Sequence, residues 1–205
     1  MKIKFLGAAQ TVTGSCFLLS YSDKQVLIDC GLFQGSRDLE SMNQLNFEFD
    51  PKKIDLLILT HAHIDHIGMI PKLIKHGFNA PIICTSATKD LCEIMLPDSA
   101  HIQEEEIKWH NRKRERAGLP LLEPLYTVDD AYDSISHLKP LKYNDVNCPL
   151  PGLEFCFRDA GHILGSANVE LTVKEGRKKA LKLVFSGDIG NSGQAIVRDP
   201  YVFDK

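Results

Sequence analysis

Residues 54–60, "IDLLILT", form an apolar run with no polar face. A strand solvated on one side alternates polar and apolar residues, whereas one covered on both sides does not. This run therefore calls for packed layers above and below it, as in an α/β architecture. The chain has 205 residues, of which 43% are hydrophobic, so one domain of that kind can be filled.

The same run ends in "HAHIDH", residues 61–66. Side chains two apart in an extended segment point the same way, so His61 and His63 can reach one metal ion. Asp65 and His66 follow where the chain turns into a helix. They point elsewhere and can serve a second ion. Imidazole and carboxylate ligands suit Zn2+, with Mn2+ or Fe2+ as substitutes. The competing reading is a histidine-rich polar turn, and the spacing directly after a buried strand favours the metal.

Three further strand ends carry ligand-type side chains: "VLIDCG" with Asp29, "FRDAGHILGSA" with His162 and "KLVFSGDIG" with Asp188. Each is weak alone, since an aspartate before glycine is ordinarily a turn residue. Together they deliver ligands to the kind of sheet edge where sites form in open α/β sheets.

Around these motifs the pattern predicts strands at "MKIKFLG", "SCFLLSY" and "KQVLIDC", the last two joined by a hairpin turn at "SDKQ". "GMIPKLIKHG" reads as a helix with Pro71 in its first turn and Gly77 as its stop. "APIICTS" is another strand. Residues 86–118 read as mostly helical, broken near Pro97, and "VDDAYDSISHL" as a further helix. "LEFCFRDAG" and "ALKLVFSGD" return to strand, with a hairpin around "KEGRK".

Composition narrows the setting. The formal net charge of −3 does not advertise nucleic-acid binding through bulk charge, so any such function must rest on a local site. The basic stretch "KWHNRKRER", 108–116, follows the acidic "EEE" of 104–106 and reads as a solvated helix face with Trp109 packed beneath it. Contact with a phosphate backbone is the sharper alternative. No secretory signal and no run of bilayer length is visible, so the expectation is a soluble, cytoplasmic chain with no membrane partner. Six cysteines form no CxxC pair and read as free thiols packed as small hydrophobes.

"THAHIDHIG", "AGHILGSA" and "FSGDIG", in this order, resemble the signature of the metallo-β-lactamase superfamily. "GAAQTVTGSCFLL" with "LIDCGLFQG" narrows the resemblance to its β-CASP branch, which includes the endonuclease of mRNA 3′-end cleavage. The resemblance implies an α/β chain built as an αββα sandwich, with residues 1–205 as its N-terminal portion. It implies two zinc ions: His61, His63 and His162 hold one, Asp65 and His66 the other, and Asp188 bridges them. Asp29 then accepts a hydrogen bond from a ligand imidazole and fixes its tautomer and angle. Asp65 and Asp188 carry the catalytic role, and Ser166 and Ser186 only shape loops.

The branch pattern also implies a large insert soon after the strand bearing Asp188, then a return bringing one more histidine to the second metal. The chain reaches "RDPYVFDK" before either. The expectation is a fragment rather than a natural short form, with a weakened second metal site, an inactive chain as one outcome, and self-association through an open sheet edge. The implied activity is hydrolysis of RNA phosphodiester bonds by metal-activated water, endonucleolytic with 5′-exonucleolytic trimming as a second mode. Alternatives are a lactonase, thioesterase or DNA nuclease on the same scaffold, or a non-catalytic RNA-binding paralogue, because the ligand residues do not distinguish C–O from P–O cleavage.

Overall fold

A computed structural model describes residues 1–203; positions 204–205, the end of the "RDPYVFDK" stretch, lie outside the described residues. The strands are β1 (Lys2–Phe5), β2 (Phe17–Tyr21), β3 (Lys24–Ile28), β4 (Leu56–Ile58), β5 (Ile82–Thr85), β6 (Leu138–Leu141), β7 (Asn147–Leu150), β8 (Leu153–Asp159), β9 (Ala167–Val173) and β10 (Leu181–Phe185). The helices are α1 (Arg37–Met42), α2 (Ile64–Ile67), α3 (Ile70–Lys75), α4 (Ser86–Arg116) and α5 (Val128–Ser136). Strands β1 to β6 form one sheet in chain order, antiparallel from β1 to β3 and parallel from β3 to β6. Strands β10-β9-β8-β7 form a second, antiparallel sheet.

The apolar run of β4 is covered on both faces, as its sequence requires. Leu57 and Leu59 face α3, α4 and α5, packing with Leu18, Leu27, Ile70, Leu73, Cys92 and Leu96. Leu56 and Ile58 face the second sheet, packing with Leu19, Val26, Ile28, Phe155, Phe157 and Val169. The layers are thus helix, sheet and sheet. The outer face of the second sheet carries Glu170, whose carboxylate pairs with Arg158 at 2.9 Å and Lys182 at 2.5 Å. A fourth, helical layer is not present among the described residues, so the αββα sandwich is three-layered here.

The long helix differs from expectation. It runs unbroken from Ser86 to Arg116, through Pro97. A proline there removes one backbone donor. Thr88, Cys92, Leu96 and Ala100, spaced four apart, are fully buried against the sheet, and this anchorage on both sides of Pro97 holds the helix together. The Thr85 side chain caps its start by accepting from the Thr88 amide. At α5, Thr127 and Asp130 make a reciprocal capping box.

Two strands escaped the sequence pattern. Both β6 and β7 contain a proline, Pro140 and Pro149, and both are edge strands where a missing donor costs no ladder bond. The cysteines are all free, and five are buried; Cys148 on β7 is exposed. No helix among the described residues is long and apolar enough to cross a membrane. Phe157 is fully buried between the sheets, so Phe157→Ala should destabilise the fold by about 3–5 kcal/mol, read as a lower urea midpoint at unchanged m-value. A loss below about 1 kcal/mol would mean that the two sheets do not share a packed core.

Candidate metal centre

The site sits where strand ends from both sheets meet. Asp29 follows β3, His61 follows β4 by way of Leu59 and Thr60, His162 lies between β8 and β9, and Asp188 follows β10. One backbone bond ties the sheets at this point: the Ala167 amide donates to the Thr60 carbonyl at 2.8 Å. The segment 29–32 is zipped to α2 by hydrogen bonds from the Cys30 amide to the His66 carbonyl and from the Leu32 amide to the Ile64 carbonyl. That approach is close enough to demand glycine. A Cβ on Gly31 would lie 1.7 Å from the Asp65 carbonyl oxygen.

Six of the sequence-predicted residues come together. Nε2 of His61 and Nε2 of His162 lie 3.1 and 3.2 Å from Nδ1 of His63. Asp188 Oδ2 stands 3.5 Å from His162 Nε2 and 3.9 Å from His61 Nε2. These four residues offer ligand atoms all within 4.8 Å of one another. Asp188 Oδ1 turns the other way, 3.3 Å from His66 Nε2, and Asp65 Oδ2 lies 3.9 Å from the same nitrogen. One carboxylate therefore straddles two groups of donors.

Asp29, fully buried, is the seventh. Its Oδ1 accepts from the Thr60 amide at 2.8 Å, and its Oδ2 accepts from the Thr60 hydroxyl and His66 Nδ1, each at 2.8 Å. The Ser15 hydroxyl adds a longer bond of 3.3 Å. The backbone of Asp29 has φ of +58°, a left-handed conformation uncommon outside glycine, and these bonds hold it there.

This network fixes tautomers. The Thr60 hydroxyl gives its proton to Asp29, so its oxygen accepts from His61 Nδ1 at 3.0 Å. His61 then presents a bare Nε2 to the centre. His66 donates through Nδ1 to Asp29 and likewise presents Nε2. Nothing in the sequence pattern singles out Ser15. The one signal for Thr60 is a hydroxyl immediately before the first histidine at a buried strand end.

The electrostatics agree at His61 and His63. Burial, with His66, His63 and His162 nearby, pushes the His61 imidazole down to about 2, so it stays neutral. Burial and His162 also lower His63. At His66 burial works downward, but the bond and charge of Asp29, with Asp65 and Asp188, outweigh it and raise the group.

Lone pairs and carboxylate oxygens thus converge with few donors between them, which is the chemistry a cation satisfies. Ligand atoms around a tetrahedral zinc at about 2.0–2.1 Å stand roughly 3.3 Å apart. The imidazole spacings of 3.1 and 3.2 Å match that edge. The donor set fits a divalent metal ion.

The supporting loops are built for close approach. The Ser166 hydroxyl accepts from the amides of His162 and Ile163, at 3.0 and 3.2 Å, which shapes the loop carrying His162. Gly187 has φ of +54°, and a Cβ there would strike the Thr60 side chain at 2.7 Å. Beside His63 and His162 opens a cavity of about 670 Å³ lined mainly by apolar side chains, among them Leu91, Met95, Ile163 and Ile196.

A family model described as the metallo-β-lactamase superfamily matches residues 10–135. The chain belongs to the metallo-β-lactamase superfamily. Its sequence relatives are those of the β-CASP RNA-processing branch. Ribonuclease TTHA0252 of Thermus thermophilus is 39% identical over 200 residues, covering 98% of this chain and 40% of the relative. Transcription termination factor FttA of Methanocaldococcus jannaschii is 33% identical over 189 residues, covering 92% and 27%. Cleavage and polyadenylation specificity factor 73 of Drosophila melanogaster is 30% identical over 189 residues, covering 92% and 25%. The chain thus spans between a quarter and two-fifths of the length of these relatives. Among solved structures, the subclass B3 metallo-β-lactamase BJP-1 of Bradyrhizobium japonicum superposes with a TM-score of 0.52 at 22% identity, over 97% of this chain and 64% of that one. At that identity the likeness is one of fold.

The metallo-β-lactamase strand ends depend on the buried carboxylate. Asp29→Ala strands the Thr60 amide, the Ser15 hydroxyl and His66 Nδ1, and should cost about 3 kcal/mol or more in chemical denaturation. Asp29→Asn retains one acceptor oxygen and should cost less. Equal and small losses for both variants would show that the network does not hold the site.

Proposed function

We propose that this metallo-β-lactamase-fold chain is the metal-binding part of an RNA phosphodiesterase that uses two divalent cations. The observation that carries the reading is the two-sided placement of Asp188, with Oδ2 toward His61 and His162 and Oδ1 toward His66. RNA as the substrate class is supported by the names of the relatives, a ribonuclease and a cleavage and polyadenylation factor. In this reading His61, His63, His162 and Asp188 hold the first ion, and Asp65, His66 and Asp188 the second. The imidazole-rich set favours Zn2+ over Mn2+ or Fe2+. Residues 1–205 act as one domain portion, in a cytoplasmic setting that agrees with its free thiols.

Bound cations of this kind lower the pKa of a water and withdraw charge from a phosphoryl oxygen. The protein's own part is orientation and proton handling. Asp29 and Thr60 lock the imidazoles of His61 and His66 with Nε2 facing inward. In this reading Asp65, whose side chain is about one-fifth exposed and whose Oδ2 lies 3.9 Å from His66 Nε2, takes a proton from the attacking water. Half-exposed Asp188 leaves the mouth open to a bulky phosphodiester. Self-association is part of the proposal too. The edge strands β1 and β10 leave Phe5, Leu181 and Val184 exposed, and a clean monomer in size-exclusion chromatography at high concentration would count against pairing there.

Metal content decides the ligand assignment. His63→Ala should lose the tightly held zinc by elemental analysis and any hydrolysis of a single-stranded RNA oligonucleotide; unchanged zinc would refute the assignment. Opening of lactones with RNA left intact would refute the substrate class. The second group has fewer protein donors than the first. Titration with a mild chelator should therefore remove one ion well before the other, by roughly tenfold or more in competitor concentration. Simultaneous loss of both would mean that the two groups bind as one.

A further inference from the structure

The C-terminal half of α4 is an arm. Its buried residues end at Ala100, and the remaining sixteen positions to Arg116 reach about 24 Å further at 1.5 Å per residue. The chain then runs back along one side of this arm and covers it. Asn111 exchanges two bonds with the Leu122 backbone, at 2.9 and 2.8 Å, and Arg114 Nε donates to the Pro120 carbonyl at 2.6 Å. Gln103 reaches the Tyr126 hydroxyl, and Glu104 accepts from the Val128 amide.

The other side is left open. Trp109, Arg112, Lys113 and Arg116 stand at i, i+3, i+4 and i+7 on one helix face, and all four are exposed. The packing of Trp109 beneath the helix is therefore corrected: the residue is 52% exposed, with Lys113 Nζ 3.4 Å from its ring centroid. Lys108 pairs with Glu105 at 2.8 Å, whereas Arg112, Lys113 and Arg116 have no carboxylate at ion-pair distance among the described residues. Favourable interaction with the helix C-terminus accounts for cations in the last turn. It does not account for a large indole in water one turn earlier on the same face. A row of cations without carboxylate partners, one of them stacked on a half-exposed indole, is what a single-stranded nucleic acid uses, phosphates on the cations and a base on the ring in place of the lysine.

We infer that the open face of this arm, Trp109 with Arg112, Lys113 and Arg116, binds single-stranded RNA away from the metal centre and holds the strand that the centre cuts. The inference rests on the RNA reading for what it says about the cut strand, while the binding itself is independent of metal. The arm shares α4 with Met95, which lines the cavity beside His63 and His162. From Met95 to Arg112 the helix spans about 26 Å, so a strand of several nucleotides is required to touch both.

The test is equilibrium binding of the chain to a fluorescein-labelled 20-mer of oligouridine, with EDTA present so that neither metal nor cleavage enters. Three phosphate contacts on a single strand predict a slope of log K against log[salt] containing a contribution near −2, from about −0.7 per contact. The triple variant R112E/K113E/R116E should flatten the slope by about that amount and weaken binding at low salt by about tenfold or more. W109A should weaken binding roughly 5- to 100-fold without changing the slope. All four side chains are exposed, and circular dichroism should match the parent. Unchanged affinity and slope in the triple variant would overturn the inference, as would equal affinity for poly-glutamate with no effect of W109A, which marks an acidic protein surface as the partner. Failure of the metal and hydrolysis tests with arm binding intact would remove the hydrolase reading and leave the arm standing.

Discussion

A buried carboxylate holds this structure's business end together. Asp29 has no exposure, and moving such a charge out of water costs several kcal/mol unless its lone pairs are used. Here they are used by the amide and hydroxyl of Thr60, by Ser15 and by His66. Each partner comes from a different piece of chain: the end of β4, the loop before β2, and α2. Satisfying one charge therefore fixes three segments relative to one another. It also sets which nitrogen of His61 and His66 is bare, so orientation and chemistry come from one set of bonds.

The rest of the site depends on a second constraint, which is topological. In the first sheet β3, β4 and β5 run parallel, so their carboxyl ends share one edge. In the second, β8 and β10 both run antiparallel to β9, which brings their ends to a common edge as well. Packing the sheets face to face aligns the two edges, and the bond from Ala167 to Thr60 joins them. Residues 127 positions apart in sequence, His61 and Asp188, come within 3.9 Å by this route.

How much of this is legible in the sequence follows from which signals are local. The β4 run, the strand ends that carry histidine and aspartate, and the β9–β10 hairpin are readable because periodicity and turn chemistry are written within a few residues. Helix α1 buries none of its six residues, so it leaves no amphipathic pattern to read. Strands β6 and β7 carry prolines that argue against a strand unless one knows they lie at edges. The continuity of α4 through Pro97 was invisible for a related reason. Tertiary packing of Leu96 and Ala100 overrides a local breaker, and packing partners are not in the local sequence. Likewise Thr60 and Ser15 are ordinary residues by type; only their convergence on Asp29 gives them a function.

Charge ties the centre to the arm. The chain carries a net charge of −3, and its centre, Asp29, Asp65 and Asp188 included, is itself acidic. Without cations such a centre repels a phosphodiester, and with them it attracts one only over about a Debye length, roughly 8–10 Å. A polyanionic strand is therefore drawn first to wherever unpaired positive charge is exposed. Residues 108–116 hold five lysines and arginines against one glutamate, on a helix end anchored to the sheet by Cys92, Leu96 and Ala100. The anchored half of α4 gives the arm a fixed position relative to the centre. On the reading proposed above, capture falls on the exposed end of α4 and cutting at the strand ends beside its anchored half, where Met95 lines the cavity next to His63 and His162, so the helix rise between them makes substrate length the quantity to which such a chain responds.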